Sequence, residues 1–114
     1  MKLVGKVPLD SIKDGAFVRL VYPPYDVLVT LEDGAPCAIE DTCNHAGASL
    51  VAGSRSLVRP HCVVCPLHGY VFELRTGTLV QPRGLCDNQR RFVCEIEGDE
   101  ILIWDPFDIA IVAG

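Results

Sequence analysis

Two short segments of this chain each pair a cysteine with a histidine, and they constrain what it can fold into more than any other feature. The first is Cys43-Asn44-His45 and the second Cys65-Pro66-Leu67-His68-Gly69. Each supplies one thiolate and one imidazole, at the closely matched spacings C-x-H and C-x-x-H. A doubled Cys/His arrangement of this kind marks a metal site. The candidate ligands are Cys43, His45, Cys65 and His68, and any fold the chain adopts must bring their two loops together.

Two metals suit four such donors. A tetrahedral zinc needs no more than two Cys and two His. A [2Fe–2S] cluster can also take them, with two Cys on one iron and two His on the other. Zinc fingers pair Cys with Cys and His with His, whereas here each loop is mixed, which suits a two-iron cluster that each loop would reach across with one Cys and one His. The chain resembles the Rieske family at these residues, and the resemblance extends to the flanks Pro66, Gly69, Phe72, Arg75, Thr76 and Gly77. One departure is the interval from His45 to Cys65, slightly longer than the family pattern, which leaves the intervening hairpin open. A zinc-binding structural module is the alternative from another class.

At 114 residues the chain is expected to form one domain, residues 1–114, with just enough length for a compact core. Its apolar runs are too short to span a bilayer, and Met1-Lys2-Leu3-Val4-Gly5 lacks the apolar core of a signal peptide, so the expected compartment is the cytoplasm. Outside the motif stand Cys37, Cys62, Cys86 and Cys94, read as free, partly buried thiols rather than a disulfide framework. Cys62 and Cys65 form a C-x-x-C beside His61, an alternative ligand set; the run from Arg59 to Val64 reads instead as a strand with His61 at its edge. The net charge of −5 is uneven, since residues 46–92 hold six arginines against Glu73 and Asp87. Such a distribution fits either partner steering around the metal site or a solvated surface.

Strand signals fill most of the chain. Lys2–Val7, Ala16–Tyr22 (stopped by Pro23-Pro24) and Tyr25–Leu31 read as strands. Glu32-Asp33-Gly34 is a hairpin signal that returns through Cys37–Glu40 and delivers Cys43 and His45 on the following loop. Small residues Ala46-Gly47-Ala48-Ser49 let backbone N–H groups approach cluster sulfurs. Ser54–Ser56 reads as an exposed hairpin tip, Val58–Val64 as a strand into the second ligand loop, and Tyr70–Leu74 as the strand leaving it. Arg75-Thr76-Gly77 turns into Thr78–Val80, and Gln81-Pro82-Arg83-Gly84 forms a loop. In Arg91–Glu97, alternation puts Phe92, Cys94 and Ile96 on one face, and Gly98-Asp99 turns that strand into Glu100–Trp104. The apolar tail from Pro106 to Gly114 reads as an extra strand or a core-packing segment. No helical period of useful length appears. The expected fold is all-β: a Rieske-like antiparallel β sandwich with a cluster-binding subdomain inserted at about residues 42–82.

The resemblance implies a function. A Rieske [2Fe–2S] cluster would be held by Cys43, His45, Cys65 and His68, with the electron on the iron held by the two histidines and their outer nitrogens titrating with redox state. Pro82 would lie in the loop that covers the cluster. High-potential respiratory members carry two further cysteines, which this chain replaces with Ala48 and Leu67, and Ser and Tyr donors, which it replaces with Tyr70 and Phe72. With fewer donors to the sulfurs the potential should lie near the bottom of the Rieske range. There is no nucleotide motif, and only His61 is left outside the motif, so neither a mononuclear oxygenase iron nor a reductase domain is expected. The chain resembles the Rieske-type ferredoxin of bacterial ring-hydroxylating dioxygenase systems. That implies a one-electron carrier, not an enzyme, between a flavin-containing ferredoxin reductase and a terminal oxygenase. It implies a monomer with no nucleic-acid or membrane partner. A nitrite reductase small subunit or the ferredoxin of a di-iron monooxygenase would look similar.

Overall fold

The computed structural model describes residues 1–44 and 47–106. The described strands are β1 (Lys2–Pro8), β2 (Val18–Leu20), β3 (Val27–Glu32), β4 (Ala35–Glu40), β5 (Ser54–Arg55), β6 (Cys62–Val64), β7 (Val71–Glu73), β8 (Leu79–Gln81), β9 (Arg91–Glu97) and β10 (Glu100–Asp105). Single 3₁₀ turns stand at Leu9–Ser11 and Leu50–Ala52. The strands form an antiparallel six-stranded sheet in the order β1-β10-β9-β4-β3-β2 and a four-stranded sheet β5-β6-β7-β8. The chain is therefore all-β, as its alternation predicts. The ends of the larger sheet curl toward each other: a Cβ added at Gly5 on β1 would meet Leu20 of β2 at 3.1 Å.

Two cores lie on opposite faces of β3 and β4. Val27, Val29, Ala38, Phe92, Ile101 and Ile103 fill the inside of the curled sheet. Leu28 and Ile39 point the other way, into a second core with Leu50, Val63, Phe72, Leu74 and Leu79 from the inserted segment. Successive side chains of a strand face opposite sides, so a strand buried on both reads as a continuous apolar run. That accounts for Val27-Leu28-Val29. The second core carries the site, since it contains Cys43 and Cys65. Phe72 is its largest fully buried side chain, and truncating such a residue costs about 3–5 kcal/mol.

Asp33 (φ 51°) and Gly34 (φ 81°) close the β3–β4 hairpin with two residues in the left-handed region, as the Asp-Gly pair predicts. Several expectations change. Val18–Leu20 is shorter than the run Ala16–Tyr22, because the chain bends at Pro23-Pro24 and Asp26 gathers it with bonds to the Tyr22 N–H (2.8 Å) and the Arg19 guanidinium. Ser54–Arg55 is a strand paired with Val63 and Val64, not a hairpin tip. The tip is residues 56–61, where the Ser56 hydroxyl accepts the N–H groups of Val58 (3.3 Å) and Arg59 (3.0 Å), so β6 begins only at Cys62. Ile96 shares the Phe92 face but is exposed, since it lies at the hairpin end beyond the core. Of the tail, Pro106 is exposed and residues 107–114 lie outside the described residues.

A polar joint also links the sheets. Glu32 of β3, 4 % exposed, receives Arg55 of β5 through two hydrogen bonds of 2.8 and 2.6 Å. Arg55 also donates to the Gly15 carbonyl (2.8 Å) and the Thr30 hydroxyl (3.0 Å). His61 is not a strand-edge residue: it sits at φ 61° in the turn before β6, with Nδ1 3.2 Å from Glu32 Oε1.

Candidate metal centre

The two cysteine loops share one backbone scheme. In the first, the Cys43 N–H donates to the Ala48 carbonyl (2.8 Å) and the Gly47 N–H to the Cys43 carbonyl (2.7 Å). In the second, the Cys65 N–H donates to the Tyr70 carbonyl (2.8 Å) and the Gly69 N–H to the Cys65 carbonyl (3.1 Å). Both turns close through a glycine in the left-handed region, Gly47 at φ 74° and Gly69 at φ 71°. A glycine four residues after each cysteine thus closes the C-x-H and C-x-x-H segments with equivalent backbone bonds. Left-handed backbone costs other residues about 1–2 kcal/mol, which glycine avoids.

The donors differ in depth. Cys43 (1 % exposed) and Cys65 (2 %) are buried in the apolar core with Phe72 and Val63. His68 lies at the surface beside exposed Pro66 and Leu67. His45 and Ala46 lie outside the described residues. Two thiols buried among apolar side chains suit binding to iron, which takes thiolate and neutralises it. Among the described residues no three His, Cys, Asp or Glu side chains converge on one ion. A dinuclear cluster asks for two protein donors on each iron.

Residues outside the motif fix the first loop. Asp41, 1 % exposed, accepts the Ser49 hydroxyl (2.7 Å) and the Val51 N–H (2.8 Å), holding the far side of the loop. Asn44, between the two candidate ligands, donates to the Asp87 carbonyl (2.7 Å) and accepts the Asp87 N–H (3.1 Å). Buried Gln89 donates to the carbonyls of Glu40 (2.9 Å) and Thr42 (2.8 Å) and accepts the Asn44 N–H (3.0 Å). Sequence reasoning missed Asp41, Asn44 and Gln89, because each acts through partners distant in the chain. The position of Asn44 between Cys43 and His45 was the one available signal.

The other cysteines take different places. Cys62 lies on the face of β6 opposite Val63 and Cys65, so the C-x-x-C does not converge, and His61 is engaged with Glu32. Cys86 packs against the core that holds Cys43 and Cys65, and burial, then the Asp87 and Cys65 charges, pushes its thiol up. Burial raises Cys37 to about 11 and Cys94 to about 12. No disulfide links these cysteines. Pro82 is half-buried in the loop after β8, which carries exposed Leu85. No helix of the described residues is long and apolar enough to cross a membrane.

Two matched loops on an inserted sheet, with their thiols buried and an imidazole at the surface, fit an iron–sulfur protein of the mixed Cys/His class. The profile of the Rieske [2Fe-2S] domain matches residues 7–90. The ferredoxin component of biphenyl 2,3-dioxygenase from Rhodococcus jostii (strain RHA1) is 34% identical over 93 residues, spanning 82% of this chain and 83% of that protein. Among solved structures, the ferredoxin of carbazole 1,9a-dioxygenase from Nocardioides aromaticivorans IC177 superposes with a TM-score of 0.78 at 27% identity, over 91% of this chain and 98% of that one. A ferredoxin-sized chain in a complex of reduced oxygenase and oxidized ferredoxin of carbazole 1,9a-dioxygenase gives 0.72 at 25% identity, over 87% and 99%. By contrast, the chain spans only 12% of the length of the cholesterol 7-desaturase of Caenorhabditis elegans, which is 39% identical over 54 residues. This chain belongs to the Rieske [2Fe–2S] domain family.

Proposed function

We propose that this chain is a cytoplasmic, monomeric one-electron carrier that takes electrons from a flavin-containing ferredoxin reductase and delivers them to the terminal oxygenase of a ring-hydroxylating dioxygenase system. In this reading residues 1–114 form one domain, with residues 42–82 as its cluster-binding part. Cys43 and Cys65 would hold one iron of a [2Fe–2S] cluster, and His45 and His68 the other. The cluster supplies a site that gains and loses one electron. Around it, Phe72 and Val63 exclude water from the thiolate side, and Gly47 and Gly69 set the turns. His68 presents its imidazole at the surface, where a partner can approach.

The observation that carries this reading is that asymmetry: both thiols are buried in an apolar core while His68 lies at the surface. Ferredoxin components of dioxygenase systems are among the relatives the chain matches over most of its length. The test is anaerobic purification, with iron and acid-labile sulfide assayed together, then reduction by a flavoprotein reductase and reoxidation by a terminal oxygenase. Stoichiometric zinc without sulfide overturns the cluster. A loaded protein that no terminal oxygenase reoxidises overturns the partner assignment.

A further inference from the structure

The third histidine lies outside the metal motif, and the structure gives it different surroundings. His61 Nδ1 lies 3.2 Å from Oε1 of buried Glu32, and its Nε2 lies 3.2 Å from Oδ2 of Asp33, the next residue of the β3–β4 hairpin. Both ring nitrogens therefore face carboxylate oxygens. A neutral imidazole has one N–H and one lone pair; only the imidazolium presents N–H at both positions. In the neutral form one nitrogen would turn a lone pair toward a carboxylate.

The charges around the ring are mostly acidic. Asp14, Glu32 and Asp33 line the cavity of about 340 Å³ that His61 borders, against the single cation Arg55. Arg55 is committed to Glu32 through both nitrogens of its fork. Cys62, also on the cavity, stays a thiol because burial raises it, and Glu73, paired with Cys62 across the sheet, is bonded to Arg75 and Thr76. An imidazolium gives Glu32 and Asp33 two cations between them.

We propose that His61 is a proton-operated latch between the two sheets: protonated, it ties the start of β6 to Glu32 and Asp33, and on losing its proton it releases one of the two. The placement gives the latch leverage. The His61 carbonyl accepts the Leu74 N–H (2.7 Å), and β6 runs from this turn into the loop of Cys65. Histidine side chains change charge between about pH 5 and 8, so the joint acts as a proton sensor apart from the imidazoles of the metal motif.

The experiment is a double-mutant cycle on the cluster-loaded, oxidised protein. His61→Gln, Asp33→Asn and the double variant are melted beside the wild type near pH 5.5 and pH 8.5. At the lower pH, His61→Gln should lower the midpoint by a few degrees, and the two substitutions should be less than additive. At the higher pH the gap should shrink by half or more and additivity return. Titration of the metal-site imidazoles is common to all four proteins and cancels in the cycle. Equal gaps at both pH values, or additivity at both, overturn the proposal. Should His61→Gln not fold, Asp33→Asn alone decides, since its gap to the wild type must also shrink as pH rises.

Discussion

Gln89 offers the sharpest test of how the Cys43 loop is held. Its side chain is 3 % exposed and its amide meets three backbone groups: the carbonyls of Glu40 and Thr42 and the N–H of Asn44. It also accepts from the Asn44 side-chain amide. Replacing it with alanine removes all four bonds. Asn44 is exposed, so water can restore its share, but the Glu40 carbonyl is buried and Thr42 half-buried. At roughly 1 kcal/mol for each bond lost, and more for an acceptor stranded without water, the expected cost of Gln89→Ala is about 3 kcal/mol. For a domain this size that lowers the melting midpoint by on the order of 10 °C. Gln89→Glu should do at least as badly, because it sets a carboxylate oxygen against two carbonyls. The assay is thermal unfolding with visible absorbance followed in parallel, since a loosened Asn44 should release the cluster before the sheets melt. A Gln89→Ala midpoint within about 2 °C of wild type, with full cluster retention, would refute the view that this amide holds the loop.

Three further outcomes are expected. Gly69→Ala and Gly47→Ala should each cost about 1–2 kcal/mol in chemical denaturation, because both positions are left-handed while a Cβ there meets nothing within 4 Å; a neutral result would mean that the turns relax. Burial pushes the Glu32 carboxyl up, but hydrogen bonds from Arg55 and His61 outweigh it and hold the group below its ordinary value. Its ionised form therefore adds stability at and above the ordinary carboxylate range near pH ~4.3 that is lost as pH falls through the lowered native value. Acid unfolding should thus be less steep in Glu32→Gln, and equal steepness would contradict the assignment. A redox titration of the loaded protein should give a midpoint near the low end of the Rieske range, about −150 mV, since fully buried Phe72 can donate no hydrogen bond; a clearly positive value would contradict it.

Local chemistry in the sequence determined much of this protein. The Cys/His spacings point to a metal centre before any fold is known, because ligand identity is carried by the residues themselves. Asp33-Gly34 specifies its hairpin, since few residue pairs tolerate two left-handed conformations. The alternation of Arg91–Glu97 specifies a strand. The tertiary structure decided the rest. Val27-Leu28-Val29 reads as a strand, but only packing shows one strand serving two cores, one of them containing Cys43 and Cys65. Ser54-Arg55 reads as a tip, and the buried Glu32 carboxylate that draws Arg55 inward lies far away in the chain. Asp41, Gln89 and His61 carry no local signature, because the backbone groups and carboxylates they bind are brought to them by folding. Short-range backbone preference and ligand chemistry are written residue by residue; the satisfaction of buried polar groups is a property of the packed chain.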